Sequence, residues 1–292
     1  MEIICKIIFY LSYLSFVFLG YFFYRLQKYW INDNKIYIFY SVLVLIFIYS
    51  RFIEPHIIRT QYNIIDASLK AKIVVLSDLH LGIFKDEWYL ERVVKKVNKI
   101  ENIDFIIIPW DSIYFAKKND LDKLFKPLSQ IKEPIFITFW SHDFEPKYIT
   151  KNDLVNIFKK YNLILLDNQS YKMNKLNLNL LWLWDNEMHD DEIELINNFK
   201  KEDNLLVIAH NPDTVLWYKN RDIPKLTISG HTHGGQIRLP FIYKYVIPCK
   251  WEFDQGLYNQ NWNKLFISSG LGEVLLSMRL FIPPVIDVLE LR

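Results

Sequence analysis

Five short apolar runs in this chain each lead into an aspartate or a histidine, and that pattern narrows the fold more than any other feature. KIVVLS (72–77) leads into Asp78-Leu79-His80, FIIIP (105–109) into Trp110-Asp111, and PIFITF (134–139) into Trp140-Ser141-His142-Asp143. LLVIA (205–209) leads into His210-Asn211-Pro212, and LTIS (226–229) into Gly230-His231-Thr232-His233-Gly234-Gly235. Runs of this length and composition read as buried strands. LILL (163–166), LNLNLLWL (176–183), LFISS (265–269) and VIDVLEL (285–291) have the same character. Between them, helical spacing of apolar residues fits 87–100, 121–129, 152–161 and 191–200. Alternation of this kind predicts an α/β domain whose sheets are covered by helices. Such folds place their sites at the carboxyl ends of strands.

A different pattern fills the first fifty residues. The run 3–24 is apolar or weakly polar except for Lys6, and a second run, 36–50, follows the polar stretch KYWINDNK. A helix needs about 20 apolar residues to cross the hydrocarbon core. The first run meets that length, and the second does so with its flanking Phe52 and Ile53. Tyr and Trp cluster at the run ends, where interfacial anchors belong. A cleaved signal peptide and a buried helical hairpin are the alternatives, but no small-residue cleavage site follows the first run. The expectation is a membrane anchor over 1–56 with two transmembrane helices, and one domain over 57–292. Arg25, Lys28 and Lys35 in the connecting loop balance Lys6, Arg51 and Arg59 on the flanks, so the positive-inside rule selects neither side. Net charge is +2, from 35 basic and 33 acidic residues, which gives no support for a nucleic-acid-binding surface. Cys5 and Cys249, the only two cysteines, make no disulfide framework. Nothing in the sequence speaks to oligomeric state.

Asp-Leu-His and His-Thr-His suggest a shared logic. In an extended segment residues i and i+2 project to one side, so two ligands can face one centre. Imidazole and carboxylate together suit Mn, Fe or Zn better than Ca or Mg. Taken singly, each signal has a dull reading: an Asp-x-His by chance, His210 as a cap for a helix starting at Pro212, His142 as a loop histidine, the glycines as a tight turn. Five of the seven histidines fall in these tails, and the ordered set is much harder to dismiss.

With these motifs the chain resembles the calcineurin-like metallophosphoesterases, whose pattern runs D-x-H, G-D, G-N-H-D/E, H, G-H-x-H. More narrowly it is similar to the bacterial membrane-linked branch, through DLHLG (78–82), AHNPD (209–213), SGHTHGGQIRLP (229–240), QGLY (255–258) and SSGLG…RLFIPP (268–284). The resemblance implies two mixed β-sheets packed as a sandwich flanked by helices, preceded here by the transmembrane helical hairpin. It implies two divalent transition-metal ions, the first held by Asp78, His80 and His233. The second would be held by Ser141, His210 and His231, with Asp111 bridging and His142 as the catalytic residue near the leaving group. Two such cations bind phosphoryl oxygens and activate a bridging water. The implied partners are a phosphoester substrate, lipid-linked as in UDP-diacylglucosamine hydrolases, and the membrane, as in the cell membrane of a bacterium. A broad nucleotide phosphodiesterase or phosphatase is the enzymatic alternative.

The pattern breaks at tryptophans. Trp110 and Trp140 stand where the family has glycine, LWLWD (181–185) stands where this branch usually has a Gly-x-Gly-Asp type sequence, and Trp251 sits in a segment where glycine would be unsurprising. Ser141 replaces the family's Asn. A catalytically dead membrane scaffold would follow if Trp110 and Trp140 are native. Decay would scatter substitutions of many kinds, however, and here the histidines survive while glycines become tryptophan. UGA codons that mean glycine in the source organism, read as tryptophan, account for the pattern better.

Overall fold

The computed structural model of the chain describes residues 1–28, 34–138, 149–183, 193–220, 222–249, 253–260 and 263–292. Trp140, Ser141, His142, Asp143, Trp184 and Trp251 lie outside the described residues.

Among the described residues the first seven strands are β1 (Arg59–Ile65), β2 (Ala71–Val75), β3 (Leu81–Gly82), β4 (Phe105–Ile108), β5 (Ile113–Tyr114), β6 (Ile135–Ile137) and β7 (Ile164–Leu165). The next seven are β8 (Ser170–Met173), β9 (Leu178–Leu183), β10 (Leu205–Ala209), β11 (Pro224–Ser229), β12 (Gly256–Gln260), β13 (Asn263–Ile267) and β14 (Val285–Leu291). They form two six-stranded sheets, ordered β1-β14-β2-β4-β6-β7 and β12-β13-β11-β10-β9-β8, plus the short pair β3-β5. Both sheets are mixed: β14 runs antiparallel to β2 in the first, and β8 and β12 run antiparallel to their neighbours in the second.

The sheets face each other across one dry layer. Ile73, Val75, Phe105, Ile107 and Phe136 from the first meet Leu180, Trp182, Leu206, Ile208 and Phe266 from the second. The first sheet's outer face is covered by α-helices over Glu87–Val97, Leu121–Phe125 and Lys151–Lys160. The second sheet's outer face is covered by 3₁₀ turns, Ile193–Asn198 and Pro212–Trp217 among them. Asp86 caps the first of these helices by accepting from the Tyr89 amide, and Thr150 with Asp153 forms a capping box on the third. The result is the expected sandwich with helices outside.

The local expectations need correcting in four places. The 191–200 helix is, over its described part, only a 3₁₀ segment at Ile193–Asn198, and the 121–129 helix tightens to 3₁₀ after Phe125. Strands β1, β8 and β12 carried no apolar run because each is a sheet edge with much of its length exposed. The first apolar run is interrupted by a turn at Ser12–Tyr13, between helices Glu2–Leu11 and Leu14–Lys28. The stretches Glu2–Tyr24 and Ile38–His56 are long and apolar enough to cross a membrane.

Register is what positions the site. Val75 pairs with Ile107 and Ile107 with Phe136, so the carboxyl ends of β2, β4 and β6 lie level. Ile208 pairs with Ile228, which levels β10 with β11 in the facing sheet. Both sets of ends open into the same region.

Candidate metal centre

Each described candidate ligand follows its strand by only a few residues, and most are aimed by a sharp turn of the chain. Asp78, His80, Asp111, His231 and His233 all adopt positive φ, between 46° and 69°. A non-glycine residue held there costs roughly 1–3 kcal/mol, which the surrounding bonds must offset. The His80 amide donates to the Asp111 carbonyl at 2.9 Å and the Leu81 amide to the Ser112 carbonyl at 3.0 Å, tying two ligand turns together through β3-β5. The Gly230 amide donates to the His210 carbonyl at 3.2 Å and does the same for the second sheet. Left-handed turns, not strand alternation, therefore aim Asp-Leu-His and His-Thr-His. Asn211, not His210, caps the 3₁₀ segment at Pro212, accepting from the Asp213 amide at 2.9 Å.

The side chains converge in two overlapping groups. Asp78, His80 and His233 place ligand atoms within 4.8 Å of one another, and so do Asp78, Asp111 and His210; all are buried. His80 Nε2 is 3.1 Å from His233 Nε2. Asp111 Oδ2 lies 3.5 Å from His80 Nε2 and 3.7 Å from His210 Nε2, between the two groups. His231 Nδ1 sits 2.8 Å from His210 Nε2, so the two histidines of His-Thr-His face different groups. Asp78 touches both, a role the sequence did not indicate.

This donor set fits metal ions. Donors about 2.0–2.2 Å from a common cation stand roughly 3.0–3.6 Å from one another, close to the spacings seen. Burial pushes the Asp78 carboxyl up to about 6, against the pull of the Ser77 hydroxyl, the His231 amide and the Arg279 guanidinium. Burial, and then His80, drives the His233 imidazole well below its usual range. A cation among the donors would favour ionised carboxylates and neutral imidazoles at once.

The two sheets meet most closely here. A Cβ on Gly230 would collide with Ser77 Oγ and the Asp78 carboxylate, so only glycine lets the second sheet's turn reach the first sheet's ligand. Gly270 (φ +72°) approaches from the other side, where a Cβ would lie 2.9 Å from that of Asp78. Arg279, fully buried, holds this second loop: its guanidinium donates to the carbonyls of Ser269, Gly270, Gly272 and Ile282. Glu273, buried beside it, takes Lys85 Nζ at 2.8 Å. Arg279 stood in the RLFIPP tail without an assigned role, because nothing local distinguishes a buried arginine from a solvated one.

Trp110 is the anomaly. Its φ is +44°, its indole is fully buried, and its ring meets Trp182 at 5.3 Å and His210 at 5.4 Å between ring centroids. The indole points into the layer between the sheets. Both Trp110 Nε1 and Trp182 Nε1 are buried with no hydrogen-bond partner among the described residues, a cost of about 1–3 kcal/mol each.

Residues 71–235 match the family model described as calcineurin-like phosphoesterase. An uncharacterised metallophosphoesterase of Campylobacter jejuni is 28% identical over 82% of this chain, which spans 63% of that relative's length. A Bacillus subtilis metallophosphoesterase is 27% identical, covering 84% of this chain and 89% of its own. The UDP-2,3-diacylglucosamine pyrophosphatase of Chlamydia muridarum is 25% identical, covering 85% of this chain and 93% of its own.

Proposed function

The chain belongs to the calcineurin-like phosphoesterase family, and on that premise we propose that it is a membrane-associated, metal-dependent hydrolase of a phosphodiester or pyrophosphate bond in a lipid-linked substrate. The observation that carries this reading is the meeting of Asp78, His80 and Asp111 from one sheet with His210, His231 and His233 from the other. Asp78, His80 and His233 would hold one divalent ion, with His210 and His231 at the second and Asp111 shared. Mn, Fe or Zn suits this mixture of imidazole and carboxylate. When bound, the ions supply Lewis acidity and a water of lowered pKa. Ser141 is assigned to the second ion as a neutral oxygen donor. His142 is assigned to the leaving oxygen, to which it delivers a proton.

The lipid-linked substrate is supported by two observations. One is the pair of apolar helices; the other is likeness to a pyrophosphatase named for a diacylated sugar nucleotide. Holding enzyme and substrate on one surface raises their effective concentration. Trp110 supports the rival scaffold reading if it is the native residue. Its left-handed backbone, and an indole without a hydrogen-bond partner among the described residues, favour glycine at that position instead.

The test uses the full chain in detergent. Elemental analysis should find about two transition-metal ions per chain. Chelator-sensitive turnover should be faster on UDP-diacylglucosamine in mixed micelles than on a soluble nucleoside diphosphate. Absence of bound Mn, Fe and Zn from folded protein sinks the hydrolase reading. Preference for the soluble nucleotide replaces the lipid-linked substrate with the nucleotide phosphodiesterase alternative.

A further inference from the structure

The segment after the last metal-ligand turn exposes an unusual amount of apolar surface. Between 239 and 246 it presents Leu239, Phe241, Ile242, Tyr245 and Val246 to solvent, with Phe241 90% and Tyr245 88% exposed. Clustered exposure of this kind marks an interaction surface. Aromatic residues beside a lysine, here Lys244, are the composition that settles at a membrane interface.

Its position identifies the partner. Arg238 N donates to the Leu280 carbonyl at 2.9 Å, which joins the start of the segment to the strip 277–282. That strip is stitched to the end of the second apolar helix. Arg279 N donates to the Ser50 carbonyl at 2.9 Å, Phe281 N to Glu54 Oε2 at 2.9 Å, and Arg51 Nη1 to Ser277 Oγ at 3.4 Å. Phe281, in the same strip, is itself exposed. Phe241 lies three residues beyond Arg238, within about 10 Å of chain. The exposed rings thus stand beside the point where the helix Ile38–His56 ends.

The same segment also backs onto the site. The Tyr243 ring packs where Gly235, two residues past His233, lacks a side chain. On the other flank, helix Glu2–Leu11 turns Cys5 toward the Tyr114 hydroxyl at 3.8 Å, and Tyr114 meets the His80 ring edge-on at 5.3 Å. Two apolar elements therefore flank the residues His80 and His233, one through Tyr114 and one through Gly235.

Resting on the membrane-anchor reading above, we propose that residues 239–246, with Phe281, insert into the interfacial layer of the bilayer that holds the N-terminal helices. This sets the His231–Gly235 turn at the lipid surface, where a phosphoester on a lipid headgroup reaches the site without leaving the membrane. The occupant is lipid; a second copy or another protein on this patch is the competing outcome.

Depth-dependent quenching separates these possibilities. The full chain, with Cys5→Ala and Cys249→Ser, is reconstituted in phosphatidylethanolamine–phosphatidylglycerol vesicles and carries one environment-sensitive label. The label sits at Leu43→Cys in the apolar helix, at Phe241→Cys or Tyr245→Cys in the segment, or at Tyr171→Cys on the exposed edge strand β8. Spin-labelled lipid should quench positions 43, 241 and 245 at least about five-fold more than position 171. Quenching at 43 without 241 and 245 overturns the insertion and leaves the anchor standing. No quenching at 43 overturns the anchor and the insertion with it. Equal quenching at 171 and 241 also overturns the proposal, since the segment would then have no special place at the membrane.

Discussion

The two sheets of the sandwich contribute to the site unequally. The first supplies both carboxylates, Asp78 and Asp111, with the imidazole of His80, and is backed by three α-helices. The second supplies imidazoles alone, His210, His231 and His233, and is backed by 3₁₀ turns. Neither sheet holds a complete ligand group: the Asp78–His80 pair needs His233, and the Asp78–Asp111 pair needs His210. The centre is thus a property of the contact between sheets, and its stability is tied to the packing that keeps them in register.

Breaking the link at its middle should have the largest effect. Asp111 stands between His80 of its own sheet and His210 of the other. Asp111→Asn should lower metal content from about two ions to one or fewer and cut hydrolysis by at least about 100-fold. His231→Asn, which removes the imidazole that meets His210, should cost less. Elemental analysis and turnover on the same preparations check both, and an unchanged Asp111→Asn protein would remove Asp111 from the bridge.

The tryptophans test the packing between the sheets. Overpacking costs about 1–3 kcal/mol per site, and Trp110 meets Trp182 in this layer with no partner for either indole N–H among the described residues. Trp110→Gly combined with Trp140→Gly should raise solubility and metal content above those of the chain as written. Peptide masses of the protein from its source organism should show glycine at both positions. Tryptophan there, in fully active protein, would end the recoding explanation.

The smallest effect concerns Asp287, in β14 of the first sheet, where burial pushes its carboxyl up to about 7 against a hydrogen bond from Ser268, just past β13 of the second. The folded state keeps this proton while the unfolded chain, with an ordinary carboxylate, gives it up. Stability should therefore fall as pH rises from about 4 to about 7, by up to about 3–4 kcal/mol. Asp287→Asn should flatten that slope, seen as several degrees higher Tm at pH 8 in the full chain. A wild-type Tm profile already flat across this window would show that Asp287 titrates normally.

Much of this was legible before any tertiary contact. The buried strands from 72 to 77 and from 205 to 209 were plain because both faces of a central strand are dry, and a continuous apolar run records that. Edge strands such as β8, SYKM, keep a wet side and blend into loops. Asp78, His80, Asp111, His210, His231 and His233 were legible as candidate ligands because Asp and His break an apolar run abruptly. The reason first read into Asp-Leu-His, alternation along an extended chain, did not hold, since φ is positive at both ends of the motif.

The sequence by itself determined the donor types, their placement just past strand ends and the two apolar helices, because each is a matter of a residue and its near neighbours. Only the tertiary structure decided that Asp78 reaches both ligand groups and that Arg279 braces the loop behind Asp78. It also decided that the exposed rings of 239–246 stand beside the end of the apolar helix Ile38–His56. Asp78 and the His231 amide that bonds it are 153 residues apart. Contacts across such a distance depend on how two whole sheets pack, and no local period of the chain encodes that.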